Sequence, residues 1–230
     1  GSPIQVIDIY SQPEWSAIVV PEGSDITSVA DLAGKSVAAT TGTDPYFFLL
    51  QALETEGLSV DDIEAQNLQH ADGRAALEAG SVDAWAGLDP IMAAAEVESG
   101  AQLIYRNVDF NSYGFLNATE SFLTDHPDVA QVVVDAYEEA RAWALEHPEE
   151  TAALLAEVAA IAIAGANTVI QERSNLDVSG VPGEAQLDVL RVIAPVLVAS
   201  DAVQGGESAV NDALDTIVND TFAVQATEGR

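Results

Sequence analysis

An open α/β sheet wound on both faces, followed by a mostly helical remainder, is the fold this 230-residue sequence predicts. Three observations point to it. Between residues 17 and 117, short β-branched or apolar runs alternate with helical segments, the signature of strand–helix–strand units. The helical segments there stop at Gly34, Gly57, Gly80 and Gly100, and glycine suits the left-handed turn that ends a helix. Beyond about residue 120 the apolar period becomes that of helices, and no comparable strand run recurs.

Each element follows from local chemistry. Ala17–Val20 is β-branched and ends at Pro21, so it reads as a strand. Thr27–Leu32 is a short helix, with Ser28 and Asp31 spaced as a capping box and Gly34 closing it. Ser36–Thr40 is the next strand, and Thr41-Gly42-Thr43-Asp44-Pro45 opens a helix over Tyr46–Thr55. The pattern repeats with strands at Ile63–Leu68 and Val82–Ala86 and helices at Asp72–Ala79 and Pro90–Glu98. Leu103–Tyr105 and Tyr113–Asn117 complete the strands. Pro127 then begins a helix carrying Val129, Val132, Val133, Ala136, Tyr137, Ala140 and Trp143 at i, i+3, i+4 and i+7 spacing, a stripe expected to face a core. His147-Pro148 breaks it, and a second helix runs to about Ala164. Further helices are expected from Pro182-Gly183 to Leu197 and over Ala209–Val218, with a loose tail from Ala226.

Composition excludes several function classes. Acidic residues number 38 against 7 basic ones, for a formal charge of −31. Nucleic acid and anionic lipid both require clustered Lys or Arg, so neither is expected as a partner. No apolar run reaches the ~18 residues of a membrane span. Cysteine is absent, which leaves no disulfide and no thiolate metal site. His70, His126 and His147 lie far apart, and no H-x-E, H-E-x-x-H or C-x-x-C spacing exists. No G-x-S-x-G elbow occurs either. Neither a metal nor a cofactor nor catalytic machinery is expected. The chain opens on Gly1-Ser2, which reads as a cloning scar, and no export signal precedes the first strand.

In open α/β sheets, ligands sit at the carboxyl ends of strands. The loop Thr41-Gly42-Thr43 occupies such a position, with amides and hydroxyls to offer an anion and a glycine that admits close approach. An ordinary cap of Asp44 with Pro45 at the first helical position explains the same residues. The carboxylate and the missing proline donor also leave room for a ligand that carries an amine. Asp89, before Pro90, lies at a second strand end and reads as a site residue or as a helix cap. Trp85 serves as core filling or as a stacking wall. The stretch from Tyr10 to Trp15, including Ser11 and Gln12, forms a hinge wall or a plain turn.

Residues 16–63, beginning SAIVVPEGSDITSVADLAGK, resemble the middle of the aliphatic-sulfonate-binding proteins related to the taurine and nitrate receptors. GRAALEAGSVDAWAGLDPIMAAAE at residues 73–96 is similar to their acidic-aromatic strand and Asp-Pro turn, and FLTDHPDVAQVVVDAYEEARAWALEHPEE at 122–150 to their helix pair. The resemblance runs from about Pro3 to Ala223. It implies a type II periplasmic-binding-protein fold: residues 1–16 end one lobe and make the first crossing, 17–115 form the second, α/β lobe, and 116–230 return to the helical part of the first. It further implies a solute-binding component of an ABC importer that captures a small organic anion or zwitterion by hinge closure. Its partner is a membrane permease, and its place is periplasmic or lipid-anchored outside the cytoplasmic membrane. Thr41, Gly42 and Thr43 match the sulfonate-facing turn, Trp85 and Asp89 the cleft wall, and Asn111 and Ser112 the return crossing.

Two departures carry expectations of their own. Family members have more chain before the first crossing, so a truncation or a short variant is expected. The helical half then lacks its own sheet and exposes apolar surface, to be covered by a dimer, strand exchange or a partner fragment. Asp44-Pro45 stands where sulfonate receptors more often have small polar residues, which makes a taurine-like zwitterion a reasonable ligand beside a simple anion. The rival reading on the same fold is a thiamine-pyrimidine-synthase-like enzyme or a pyrimidine-precursor-binding protein, and the enzyme needs a reactive His or a cofactor lysine. Lys35 is the one lysine.

Overall fold

The computed structural model describes residues 3–199 and 205–228. In chain order the elements are β1 (Ile4–Ser11), β2 (Ser16–Val20), β3 (Ser36–Ala39), α1 (Asp44–Thr55), β4 (Glu64–Asn67), α2 (His70–Glu78), β5 (Ala84–Leu88), α3 (Ile91–Ser99), β6 (Gln102–Tyr105) and β7 (Gly114–Thr119). The helices α4 (Glu120–Asp125), α5 (Pro127–Glu146), α6 (Pro148–Ala159), α7 (Ile163–Asn167), α8 (Glu184–Ala199), α9 (Gly206–Leu214) and α10 (Thr221–Glu228) follow. They divide into an α/β unit, residues 14–111 with 148–174, and a second unit, residues 1–13, 112–147 and 175–230.

The α/β unit is built on a five-stranded sheet in the order β4-β3-β5-β2-β6. β3 runs parallel to both neighbours, while β2 is antiparallel to β5 and β6. Side chains alternate across the sheet. Ile18, Val20, Ala84 and Ala86 therefore join Phe48 and Leu49 of α1 on one face. Ala17, Val19 and Trp85 join Leu77 of α2 and Met92 of α3 on the other. Burying each large side chain of this kind contributes about 1.5–3 kcal/mol. The Ser28–Asp31 capping box expected from spacing is formed, on a 3-10 turn over Val29–Leu32. Thr43, one residue earlier than expected, caps α1, with Asp44 and Pro45 in its first turn.

Residues 148–174 correct the expected boundary, because they pack with the α/β unit. The cause is contact chemistry. Gly165 of α7 meets the Ala93 backbone, where a Cβ would lie 3.4 Å from its carbonyl carbon. Arg173 closes a π-helical turn (Thr168–Arg173) and pairs with Asp89 and Glu96.

The second unit rests on two antiparallel strands, β1 and β7. β1 was not expected from the sequence, although Ile4, Val6, Ile7 and Ile9 are β-formers. Its other edge is met by Ile217, Asn219 and Gly180 through backbone hydrogen bonds. Ile7, Leu123, Ala130, Val134, Phe222 and Ala226 form a small core there. The expected core-facing stripe of α5 is overturned. Val132 is 66% exposed, and Val129, Val133, Tyr137 and Trp143 are exposed as well. The helix instead buries Ala130, Val134 and Glu138, at i, i+4 and i+8. At the C-terminal end, α9 stops at Leu214 and a separate α10 covers residues expected to be loose. Residues 229–230 lie outside the described residues.

Candidate ligand-binding edge

Because β3, β4 and β5 are parallel, their carboxyl ends share one edge of the α/β sheet. The turn 40–43, residues 68–69 and the Asp89-Pro90 bend therefore lie at that edge, each leading into a helix. β2 begins there too, since Ser16 pairs with Leu88. Three helix N-termini thus direct their first amides to one side of the unit.

The turn after β3 is open and donor-rich. Thr41 and Gly42 are exposed, and Thr43 is half-buried. Gly42 has φ +80°, and a Cβ there would meet nothing within 4 Å. That conformation belongs to glycine, and the side where a Cβ would stand is open. Among the described residues the Gly42 N–H has no protein acceptor. The Thr41 N–H donates to Asn67 Oδ1 at 3.1 Å, and the Thr43 hydroxyl donates to the Thr40 carbonyl at 2.6 Å. Those two bonds hold the loop in shape.

His70 opens α2 beside this turn, with Nδ1 3.2 Å from Thr40 Oγ1. The Thr40 hydroxyl spends its proton on the Leu68 carbonyl at 2.7 Å. Toward His70 it can only accept, so Nδ1 carries the hydrogen. Burial holds the imidazole below its ordinary pKa. Nothing in the spacing of the three histidines signalled this placement, which depends on β4 pairing with β3.

Asp89 is at the edge but engaged. Its Oδ1 accepts from the Ala93 N–H at 2.9 Å, closing the first turn of α3, and both oxygens receive Arg173 Nη1 at 3.2–3.3 Å. Arg173 Nη2 reaches Glu96 at 2.5 Å. Burial pushes the Asp89 carboxyl up to about 6, against the pull of the Arg173 guanidinium. A second guanidinium, Arg106, is held by Glu14 at the start of β2. Both cations at this edge are matched by carboxylates, so a bound anion would depend on amides and hydroxyls.

Several expected site residues have structural duties. Trp85 is 1% exposed and packs in the core, its ring lying over Gly73, where a Cβ would come within 2.8 Å of it. Side-chain alternation along β5 sends that ring into the sheet face and away from the edge, which corrects its expected place on a wall. Asn111 is 1% exposed. Its Oδ1 accepts from the Ser16 N–H at 2.8 Å and its Nδ2 donates to the Asn107 carbonyl at 2.9 Å, so it pins the start of β2. Ser11, Gln12 and Ser112 belong to the second unit. Ser11 is buried opposite Gly114 in the β1–β7 ladder, Gln12 donates its N–H to the Asn175 carbonyl at 3.1 Å, and Ser112 is buried. Of the expected residues, the α/β unit brings Thr41, Gly42, Thr43, Asp89 and Asn111 to one edge.

This sheet order and edge define an α/β protein of the type II periplasmic-binding-protein class. Solved structures agree. The periplasmic aliphatic sulphonate binding protein SsuA of Escherichia coli superposes with TM-score 0.77 at 29% identity, over 88% of this chain and 66% of that one. The alkanesulfonate-binding protein SsuA of Xanthomonas axonopodis pv. citri, bound to MOPS, gives 0.73 at 25%, over 98% and 74%. The desulfurization enzyme DSZB shares the fold at 18% identity. The chain belongs to the family described as NMT1/THI5 like, which matches residues 1–151. An aliphatic sulfonates-binding protein of Escherichia coli (strain K12) is 37% identical over 146 residues, 63% of this chain and 46% of the relative. One from Bacillus subtilis (strain 168) is 32% identical over 145 residues. The chain spans about half the length of the curated relatives it matches.

Proposed function

We propose that this chain is a solute-binding component of an ABC importer that takes a small organic anion or zwitterion of the alkanesulfonate or taurine kind. The observation that carries this reading is the open turn at Gly42. An amide without an acceptor among the described residues, at positive φ and beside open space, lies at the carboxyl edge, in a chain related to sulfonate-binding proteins. Thr41 and Thr43 flank that amide, and Asp44 stands in the first turn of α1 beside it. Local amides act at contact distance, whereas salt screens the remaining negative charge beyond about 8 Å.

The reading includes a membrane permease as partner, a location outside the cytoplasmic membrane, and capture without chemical conversion. The enzyme reading has less support: Lys35 lies at the amino end of β3, opposite the edge. Absorbance near 400 nm, expected to be absent, tests for a pyridoxal group. Self-association through the exposed stripe of α5 belongs to the same proposal, and sedimentation velocity measures it directly.

Titration calorimetry with ethanesulfonate, hexanesulfonate, taurine, MOPS and nitrate tests the binding site. Binding is expected for at least one sulfonate. Gly42→Val, which fills the open space and strains the turn, should weaken it about tenfold or more. No heat with any of these ligands, in a version of the protein as long as its relatives, would end the reading. Unchanged affinity in the valine variant would move the site elsewhere.

A further inference from the structure

Asp8 is the least expected residue of the second unit. It lies in the middle of β1 and is 0% exposed; neither carboxylate oxygen has a hydrogen bond of good geometry among the described residues, and the Ile9 N–H, the weakest influence on this carboxyl, donates to the Gly180 carbonyl at 2.9 Å. An ionised carboxylate in that position would forfeit its hydration without replacement, a cost well above that of a neutral acid.

Its surroundings make ionisation harder still. The charged groups facing it are Glu138 and Arg141, both from α5. β7 faces this position of β1 with Leu116, and the 176–180 segment with the backbone of Gly180. Both carboxyl groups border the same side of Gly180: a Cβ there would meet Glu138 Oε1 and lie 2.9 Å from Asp8 Oδ1.

Arg141 has no donor left for Asp8. Its Nε and Nη2 donate to Glu138 at 2.7–3.0 Å. Its Nη1 donates to the carbonyls of Leu176 at 3.0 Å and Val178 at 2.7 Å. The guanidinium balances one carboxylate, Glu138, and is anchored by two carbonyls. A second negative charge beside them is only partly offset by Arg141, and Glu138 opposes it, so the pair does not readily ionise twice.

We propose that Asp8 holds a proton at neutral pH and shares it with Glu138, so that a carboxyl–carboxylate bond ties β1 to α5 and opens as the pH rises. In this arrangement Asp8 O–H donates to a Glu138 oxygen, and above neutrality the proton passes to water. Burial first, and then Glu138, push the Asp8 carboxyl up to about 7.

The sign follows from linkage. In the unfolded chain Asp8 ionises near 3.8, while the folded unit keeps its proton to about 7. Between those values the unfolded state binds fewer protons, so this group's contribution to stability falls with rising pH and is level above about 7. The seam is tightest in mildly acidic surroundings and loosest in alkaline ones.

Carboxyl carbon-13 NMR on the whole chain tests the proposal. The Asp8 carboxyl is expected to titrate between pH 6 and 8. In Glu138→Gln the neighbouring charge is gone and Arg141 is free to turn, so the Asp8 midpoint should fall by at least one pH unit. An Asp8 midpoint below pH 5 in the unmodified chain would overturn the proposal, and so would an unmoved midpoint in the glutamine variant. Asp8→Asn keeps a donor toward Glu138 but cannot ionise. Its urea midpoint should exceed that of the parent by a margin that grows from pH 5 to pH 7.5, and a margin independent of pH would count against the shared proton.

Discussion

The two units handle buried charge and apolar surface in opposite ways. In the α/β unit, five strands give helices a surface to cover on both faces, and its apolar side chains lie in two filled clusters. Its most buried cation, Arg173, is matched by two carboxylates. The second unit offers two strands, and its longest helix turns Glu138 and Arg141 inward while Val132 and Trp143 face out. The difference teaches that an apolar stripe is buried only where another element presents a matching face. With a two-stranded ladder beneath it, α5 is held by an ion pair, two carbonyls and a short row of small side chains.

The largest test of this comparison is Arg173→Met, which strands Asp89 and Glu96. Leaving a buried charge without its partner costs about 3–5 kcal/mol, and urea denaturation at pH 8 should show a loss of that order. At pH 5 the loss should shrink. Asp89 already ionises near 6, well above 3.8, and without Arg173 it would keep its proton to still higher pH. In acid the folded unit then carries no bare charge at Asp89. A loss below about 1 kcal/mol at pH 8 would remove the contrast in charge handling.

A matched pair on α5 probes the apolar half of the comparison. Val134→Ala, at 0% exposure, should cost about 2 kcal/mol through lost burial and a cavity. Val132→Ala, two residues away, should stay within about 0.5 kcal/mol. Equal costs would mean that the stripe is covered in solution, and sedimentation at several concentrations would show whether a second copy covers it.

Glycines offer a finer probe. Gly73→Ala drives a Cβ to 2.8 Å from the Trp85 ring, and overpacking of a rigid core costs about 1–3 kcal/mol. In the second unit a Cβ at Gly183 meets nothing within 4 Å. Gly183→Ala should be neutral or stabilising by about 0.4–1 kcal/mol, through a less flexible unfolded chain. Thermal melts of the two variants give the comparison at its smallest scale.

Much of the α/β unit was legible because its signals are local. The Ser28–Asp31 box, the glycine stops and the β-branched runs depend on neighbours within four residues, and each appears near its expected place. The turn at Thr41–Thr43 was legible for the same reason. β1 was missed, since Asp8 and Gln5 interrupt an apolar run whose partners lie more than a hundred residues away. Trp85 had two readings in the sequence, and its burial in the sheet face, with Gly73 against its ring, separates them. Arg173 and His70 carried no local signal, because their partners come from other elements.

The sequence by itself determined the strand–helix alternation, the caps, the acidic charge and the kinship to sulfonate-binding proteins, because short-range geometry and composition suffice for these. Tertiary structure decided which face of α5 is covered, that residues 148–174 join the α/β unit, and that Asp89 answers to Arg173. It also decided that Asp8 sits in the dark beside Glu138. Burial and charge pairing are properties of surfaces that meet, and a chain read in order does not state which of its surfaces will meet.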